Sequence, residues 1–150
     1  MIRDATSSDI EAIEALIKSV AGLWDKTWRT DVLERALGSC STIALVHQDG
    51  PTIKAFLCAH DLGFRGYLSE LVVAPAFQRQ GLGSELLCAL ERRLAERGCS
   101  VIIADVWRDA EDFYRSKGWT PPPVVLLRKQ LQVAAAQLGA AADQPQAAGR

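Results

Sequence analysis

The stretch LSELVVAPAFQRQGLGSELLCALERRLAER (Leu68–Arg97) decides how the rest of the chain is read. It opens as an apolar strand, Leu68 to Val73, turns through Ala74, Pro75 and Ala76, and reaches a polar knuckle of Gln78, Arg79 and Gln80. A helix then starts at Gly81, Leu82, Gly83. The first turn of any helix carries backbone N–H groups without intrahelical acceptors, and the positive end of the helix dipole lies beside them. Such a turn is a seat for phosphate, and glycines at 81 and 83 leave its backbone open to a bulky diphosphate. Two familiar phosphate loops do not fit. A dinucleotide fingerprint needs glycine where Leu86 stands, and a P-loop needs Lys followed by Ser or Thr after its last glycine. Two glycines also suffice for a plain strand-to-helix turn, so the wider context has to decide.

A length of 150 residues suits one domain with a sizeable core, and 49% hydrophobic with 23% charged residues is the balance of a globular protein. A net charge of −1 lacks the basic face that nucleic-acid phosphates demand, so no nucleic-acid partner is expected. No apolar run approaches the ~18 residues of a membrane span. The N-terminus MIRDATSSDI has no apolar leader core, and a cytoplasmic location is expected. Cys40, Cys58, Cys88 and Cys99 form no C-x-x-C pair and read as reduced core or edge residues; with His47 and His60 the only histidines, no metal is expected.

Taken in order, Met1–Ala5 reads as a strand, and Thr6 or Ser8 caps a helix with Ile10, Ile13, Leu16, Ile17 and Val20 on one face, ending near Gly22. Leu23–Thr30 carries Trp24 and Trp28, which either cap the core or wall a pocket. A second helix buries Val32, Leu33, Ala36 and Leu37 and stops at Gly38. Thr42–His47 and Thr52–Asp61 are strands joined at Asp49-Gly50-Pro51, and with the strand ending at Val73 they form an antiparallel meander. The Gly81 helix buries Leu82, Leu86, Leu87, Leu90 and Leu94 and ends at Gly98. Ser100–Val106 is apolar throughout, as a strand covered on both faces would be, and closes a right-handed βαβ unit with the Leu68 strand. A short helix, Asp109–Lys117, and a last strand, Val124–Leu131, complete a domain of residues 1–131. Residues 132–150 are Ala/Gln-rich and read as a frayed or flexible tail.

A second motif follows the Ser100 strand: Ala110, Phe113, Tyr114, Gly118 and Trp119 in the pattern Ala-x-x-Phe-Tyr-x-x-x-Gly-Trp. With Gln78-x-x-Gly81-x-Gly83 after a strand bearing Glu70, it resembles the signature of the GNAT superfamily of N-acetyltransferases, in which Phe is usual where Trp119 stands. The resemblance covers residues 1–131. It implies an α/β (α+β) fold with a mixed sheet of six to seven strands, an antiparallel N-terminal meander, a splayed parallel pair in the middle and helices on both faces. It also implies acetyl-coenzyme A as cosubstrate. The pantetheine arm would enter between the splayed strands and bond Leu71, Val72 and Val73, while Gln78, Arg79, Gln80, Gly81, Leu82, Gly83 and Ser84 would hold the diphosphate.

The expected reaction is direct acetyl transfer to a primary amine. A free alkylamine is less than about 0.1% neutral at pH 7, so a carboxylate or a water it orients must take a proton. The resemblance points to Glu70, as does its place on the central strand beside the expected thioester, with Asp61 and His60 at the end of the preceding strand as substitutes; the plain alternative is a surface or salt-bridged glutamate. Tyr114 would protonate the leaving thiolate, its alternative being a core tyrosine beside Phe113. A backbone N–H near Val72 or Val73 would polarise the thioester carbonyl. Trp24 and Trp28 are the candidate acceptor contacts. One departure stands out: Trp107 occupies the position where the family commonly has a coenzyme-binding Asn, and an indole cannot accept a hydrogen bond. The acceptor is either a small amine or a peptide amine, and the protein a monomer or homodimer. A catalytically idle acyl-coenzyme-A-binding module and a binder of some other phosphate are the competing readings.

Overall fold

The computed structural model describes residues 1–134. Five strands form one sheet in the order β1 (Ile2–Asp4), β2 (Thr42–Asp49), β3 (Thr52–Asp61), β4 (Gly66–Val73), β5 (Ile102–Ala104). The first four pair antiparallel and β4 pairs with β5 in parallel. Helices α1 (Ile10–Ser19) and α2 (Val32–Gly38) cover one face, and α3 (Leu82–Glu96) covers the other. α4 (Glu111–Ser116) follows β5 after a 3₁₀ turn at Arg108–Ala110.

Side chains alternate across a strand, and here both faces are dry. Ile43, Leu45, Ala55, Leu57 and Ala59 point to α3, where Leu82, Leu86, Leu87, Leu90 and Leu94 meet them. Ala44, Val46, Phe56 and Cys58 point the other way, to Ile13, Leu16, Ile17 and Leu33. That is why β2 and β3 read as unbroken apolar runs although their partners are antiparallel. α3 lies so close to β4 that a Cβ on Gly66 would come within 2.7 Å of Leu94 Cδ1. Gly66 thus belongs to the strand, and the connecting turn is closed before it by the Leu62 N–H donating to Arg65 O at 2.9 Å.

Three expectations need correction. α1 ends at Ser19, and the chain to Gly22 is already loop. The strand expected over Ser100–Val106 shrinks to Ile102–Ala104 and is half-buried, with Val101 53% exposed, because nothing pairs with its outer edge among the described residues. The last strand is absent. Val124–Leu131 forms no ladder, and Val125 and Leu127 are 80% and 85% exposed. Pro121, Pro122 and Pro123 lead into it without a single N–H donor, and β5 offers only a short edge to pair with. The described sheet therefore has five strands where six to seven were expected, and the parallel pair sits at its edge rather than in its middle. The expected tail lies, from residue 135 on, outside the described residues.

Candidate active site

The β4–β5 ladder has rungs Gly66–Ile102, Tyr67–Ile103 and Leu68–Ala104, and there it stops. β4 runs on to Val73 with only β3 beside it. The two strands therefore fork after Leu68 and Ala104. On β4, the Ala74 N–H donates to Lys54 O at 2.9 Å, so in the antiparallel alternation Val72 faces β3 while Leu71 and Val73 turn their N–H and C=O groups to the open side. Of the two residues expected to offer a free N–H, Val73 does so and Val72 does not. Gln78 Nε2 donates to Val73 O at 3.2 Å, tying the knuckle to the strand end.

A cleft of about 560 Å³ opens along the fork. Val20–Leu23 form one wall, Leu71–Val73 and Gln78 the floor, and Trp107, Asp109 and Ala110 the other wall. Beside it, Arg79 (φ 62) and the helix N-cap Gly81 (φ 88) are both left-handed. Among the described residues, no N–H from Arg79 to Ser84 has a protein acceptor, and the first intrahelical bond runs from the Glu85 N–H to Gly81 O at 3.0 Å. The residues fit a diphosphate on that ground. A Cβ at Gly81 would meet nothing within 4 Å, whereas one at Gly83 would face inward, 3.6 Å from both Phe113 Cζ and Val73 Cγ2. Gly81 is needed for its backbone conformation. At Gly83 a methyl would find ordinary contact with Phe113 and Val73, so neither the backbone nor the packing demands glycine there.

Glu70 owes its orientation to a bulge. Cys58 faces Glu70 and Ala59 faces Leu68, leaving Ser69 as the extra residue of β4, its hydroxyl donating to Cys58 O at 3.0 Å. Strict alternation would put Leu68 and Glu70 on one face. The bulge resets the count, so Leu68, Leu71 and Val73 pack toward α3 while Glu70 lies opposite Cys58 on the α1 side with Val72. Burial first, and the negative charge of Asp105 second, push the Glu70 carboxyl up to about 7.

Tyr114 stands between Phe113 and Trp119, with ring centroids at 5.1 and 5.3 Å in edge-to-face geometry. Trp119 is pinned in turn by its Nε1–H donating to Glu91 Oε1 at 3.2 Å. Burial, then the Glu70 charge, push the Tyr114 hydroxyl up to about 12, so it holds its proton through the neutral range. The substitutes for Glu70 are committed elsewhere. His60 Nδ1 lies 3.3 Å from the Thr42 hydroxyl and its pKa is lowered by burial, while Asp61 Oδ1 accepts from the Gly63 N–H at 3.0 Å and closes the following turn.

Trp24 and Trp28 stack edge to face at 5.4 Å on the α1–α2 cluster, with Lys18 Nζ 4.7 Å above the Trp24 ring. They do not line the cleft; the residues just before them do. Trp107 is 68% exposed on the cleft wall. The residue that sequence reasoning missed is Asp105, which directly follows the last rung and accepts a hydrogen bond from the Tyr67 hydroxyl. No motif marks it; only the end of the ladder does. Among the described residues there is no cluster of His, Cys, Asp and Glu able to hold a metal and no helix long and apolar enough to cross a membrane.

Comparison with known proteins adds the family. No curated protein matches the chain in sequence. Among solved structures, it resembles a transcriptional regulator from Bacillus halodurans C-125 (21% identity, TM-score 0.74, 87% of this chain and 99% of that one). It also resembles the ribosomal-protein-S18-alanine N-acetyltransferase from Escherichia coli (21%, 0.70, 79% and 76%). A third similar structure is an aminoglycoside N-acetyltransferase in complex with CoA (18%, 0.68, 87% and 100%). At these identities the likeness speaks for the fold alone. The model of the acetyltransferase (GNAT) family, however, matches residues 10–119 of the sequence itself, around both the forked strands and the glycine turn, and the chain belongs to that family.

Proposed function

We propose that the protein transfers acetyl from acetyl-coenzyme A directly to a primary amine. The observation that carries the reading is the fork beyond Leu68 and Ala104 lying beside the unpaired N–H groups of Arg79–Ser84. An extended amide-bearing arm can pair with Leu71 and Val73 as a substitute strand while its diphosphate rests on the α3 terminus. The Val73 N–H, which faces away from β3, donates in this reading to a thioester oxygen as negative charge develops there. Glu70, its carboxyl pushed up to about 7, accepts the ammonium proton directly or through one water. Tyr114, protonated throughout, donates to the departing sulfur. Cys58 is an unsuitable nucleophile for a covalent route, since burial pushes its thiol up to about 11.

Several similar structures carry aminoglycoside N-acetyltransferase names and one a ribosomal-protein-alanine name, so small polyamines and peptide amines are the acceptor classes to try first. The test is thiol release from acetyl-coenzyme A across such a panel, with Glu70→Gln and Tyr114→Phe alongside. Amine-dependent release that drops in both variants supports the reading; coenzyme binding with no amine-dependent release in the wild type overturns it. The second outcome would favour an acyl-coenzyme-A-binding module, a reading that the exposed Trp107 on the cleft wall supports, because the ring can pack against a bound arm without assisting chemistry.

A further inference from the structure

Tyr67 and Asp105 join β4 to β5 at the last rungs of the ladder. Tyr67 pairs with Ile103, Asp105 comes one residue after Ala104, and the Tyr67 hydroxyl donates to Asp105 Oδ1. Tyr67 lies opposite His60 and Glu70 opposite Cys58, and the Ser69 bulge puts both on the same face of the sheet. The clasp and the carboxyl of Glu70 therefore share the rim of the fork. We propose that Asp105, held in place by Tyr67, is a positioning residue that governs how strongly Glu70 accepts a proton.

The physical case starts from exposure. Asp105 is exposed, and an exposed carboxylate at a free strand end turns to water, where its field is screened. A hydroxyl that stays protonated can prevent this. The Tyr67 phenol qualifies: burial first, then its bond to Asp105, push it up to about 12, so it donates at every pH in the working range.

Cys58, Tyr114 and His60, the titratable groups nearest Glu70 besides the clasp, are neutral near pH 7. Cys58 on β3 and Tyr114 on α4 are raised by burial to about 11 and about 12, and His60 on β3 is lowered by burial. Lys18 of α1 is engaged by Glu14 and the Trp24 ring. Asp105 is thus the charge that acts on Glu70. It keeps the carboxylate a stronger base than burial alone would, which is what an amine acceptor requires of it. The inference rests on the proposed acetyl transfer only for its purpose; the coupling itself exists without substrate.

The test follows the side-chain carboxyl of Glu70 by NMR in protein labelled with ¹³C-glutamate, the signal being assigned by its loss in Glu70→Gln. The wild-type midpoint is expected near 7. In Asp105→Asn it falls by about 0.5–1 pH unit at low ionic strength, and the difference narrows in high salt. In Tyr67→Phe, which keeps the charge but frees it, the midpoint falls by a smaller amount. Where acetyl transfer is measurable, the acidic limb of kcat/KM moves with the NMR midpoint. An unmoved Glu70 midpoint in folded Asp105→Asn overturns the proposal; should that variant not fold, an unmoved midpoint in Tyr67→Phe does so. A shifted midpoint in a protein without acetyl transfer leaves this coupling standing and removes the proposed function instead.

Discussion

Arg79 and Gly81, separated by Gln80, both hold left-handed backbone at the mouth of α3, with φ of 62° and 88°. Alternating handedness of this kind turns successive N–H groups toward one point, an anion-binding concavity independent of any side chain. An L-residue in that region costs about 1–2 kcal/mol. Arg79 already carries that cost, and Gly81→Ala would add a second one although its Cβ meets no atom within 4 Å. Gly81→Ala is expected to lower stability by about 1–2 kcal/mol and coenzyme affinity at least tenfold. Gly83→Ala, whose methyl would sit in ordinary contact 3.6 Å from Val73 and Phe113, should retain both, since Ala favours a helix interior over Gly by about 1 kcal/mol. Calorimetric titration with coenzyme A separates the two; equal losses in both variants would mean that the turn's handedness is not what binds.

Glu70 gives a prediction with a definite sign. In the unfolded chain its carboxyl has the ordinary value of 4.5, and in the fold about 7. Between those values the folded protein binds a proton that the unfolded chain lacks. The contribution to stability is therefore complete on the acid side and is lost as pH rises through about 7, beyond which the wild type carries an ionised, half-buried group. Glu70→Gln removes that cost. The variant should match the wild type near pH 4.5 and exceed it at pH 8 by at most about 3 kcal/mol, measured by urea unfolding. Acetyl transfer should move oppositely, falling 10²–10⁴-fold in the same variant. A glutamine variant no more stable than the wild type at pH 8 would show that Glu70 is better solvated than its half-buried position opposite Cys58 indicates.

Much of this architecture is legible in the letters, and the failures have physical causes. The meander, the α3 leucine stripe and the glycine turn are local patterns, set by period and turn chemistry, and they stand where they were expected. The fork was expected from the family resemblance, but it is not local. It needs the ladder between β4 and β5 to end at Leu68 and Ala104, and no residue at either position announces this. The Ser69 bulge is equally silent, although it decides which face Glu70 occupies. Val124–Leu131 misled because β-branched and apolar composition describes a side chain's preference for a sheet, not the presence of an edge to join. Trp24 and Trp28 followed area: two large rings beside an apolar cluster cover it, and the cleft wall is left to the smaller Val20–Leu23.

Tyr114 allows stability and chemistry to be separated. Its ring packs with Phe113 and Trp119, but among the described residues its hydroxyl has no hydrogen-bond partner. Tyr114→Phe should therefore leave the melting temperature within about 2 °C of wild type, as a deleted unpaired hydroxyl costs little packing. If the hydroxyl donates to the leaving thiolate, kcat falls about 10²-fold or more while KM for acetyl-coenzyme A stays within about threefold. The loss should shrink with an acyl donor whose thiol is more acidic, because such a thiolate needs less help to leave. A uniform loss across donors would place Tyr114 in binding rather than proton donation.

The N-terminal strand is fastened by a group far from the fork. Arg3 donates from both terminal nitrogens to Asp9, at 2.7 and 2.8 Å, and the Thr6 N–H adds a third bond at 2.8 Å. Asp9 is buried, and these bonds, that from Arg3 first, hold its carboxyl well below the usual carboxylate range. A depressed value means that the stabilisation is present above the unfolded value of 3.8 and is lost as pH falls below it. Asp9→Asn keeps the shape and one acceptor but discards the charge, and should cost about 1–3 kcal/mol at pH 7. That deficit should narrow steadily below pH 3.8, because the wild type forfeits the same charge there. Arg3→Met should cost no less, since it strands a buried carboxylate, and combining it with Asp9→Asn should recover part of the loss. Chemical denaturation at pH 7 and pH 2.5 reads all of this; an Asp9→Asn deficit of the same size at both would mean that shape, not charge, is what Asp9 contributes to the joint between β1 and α1.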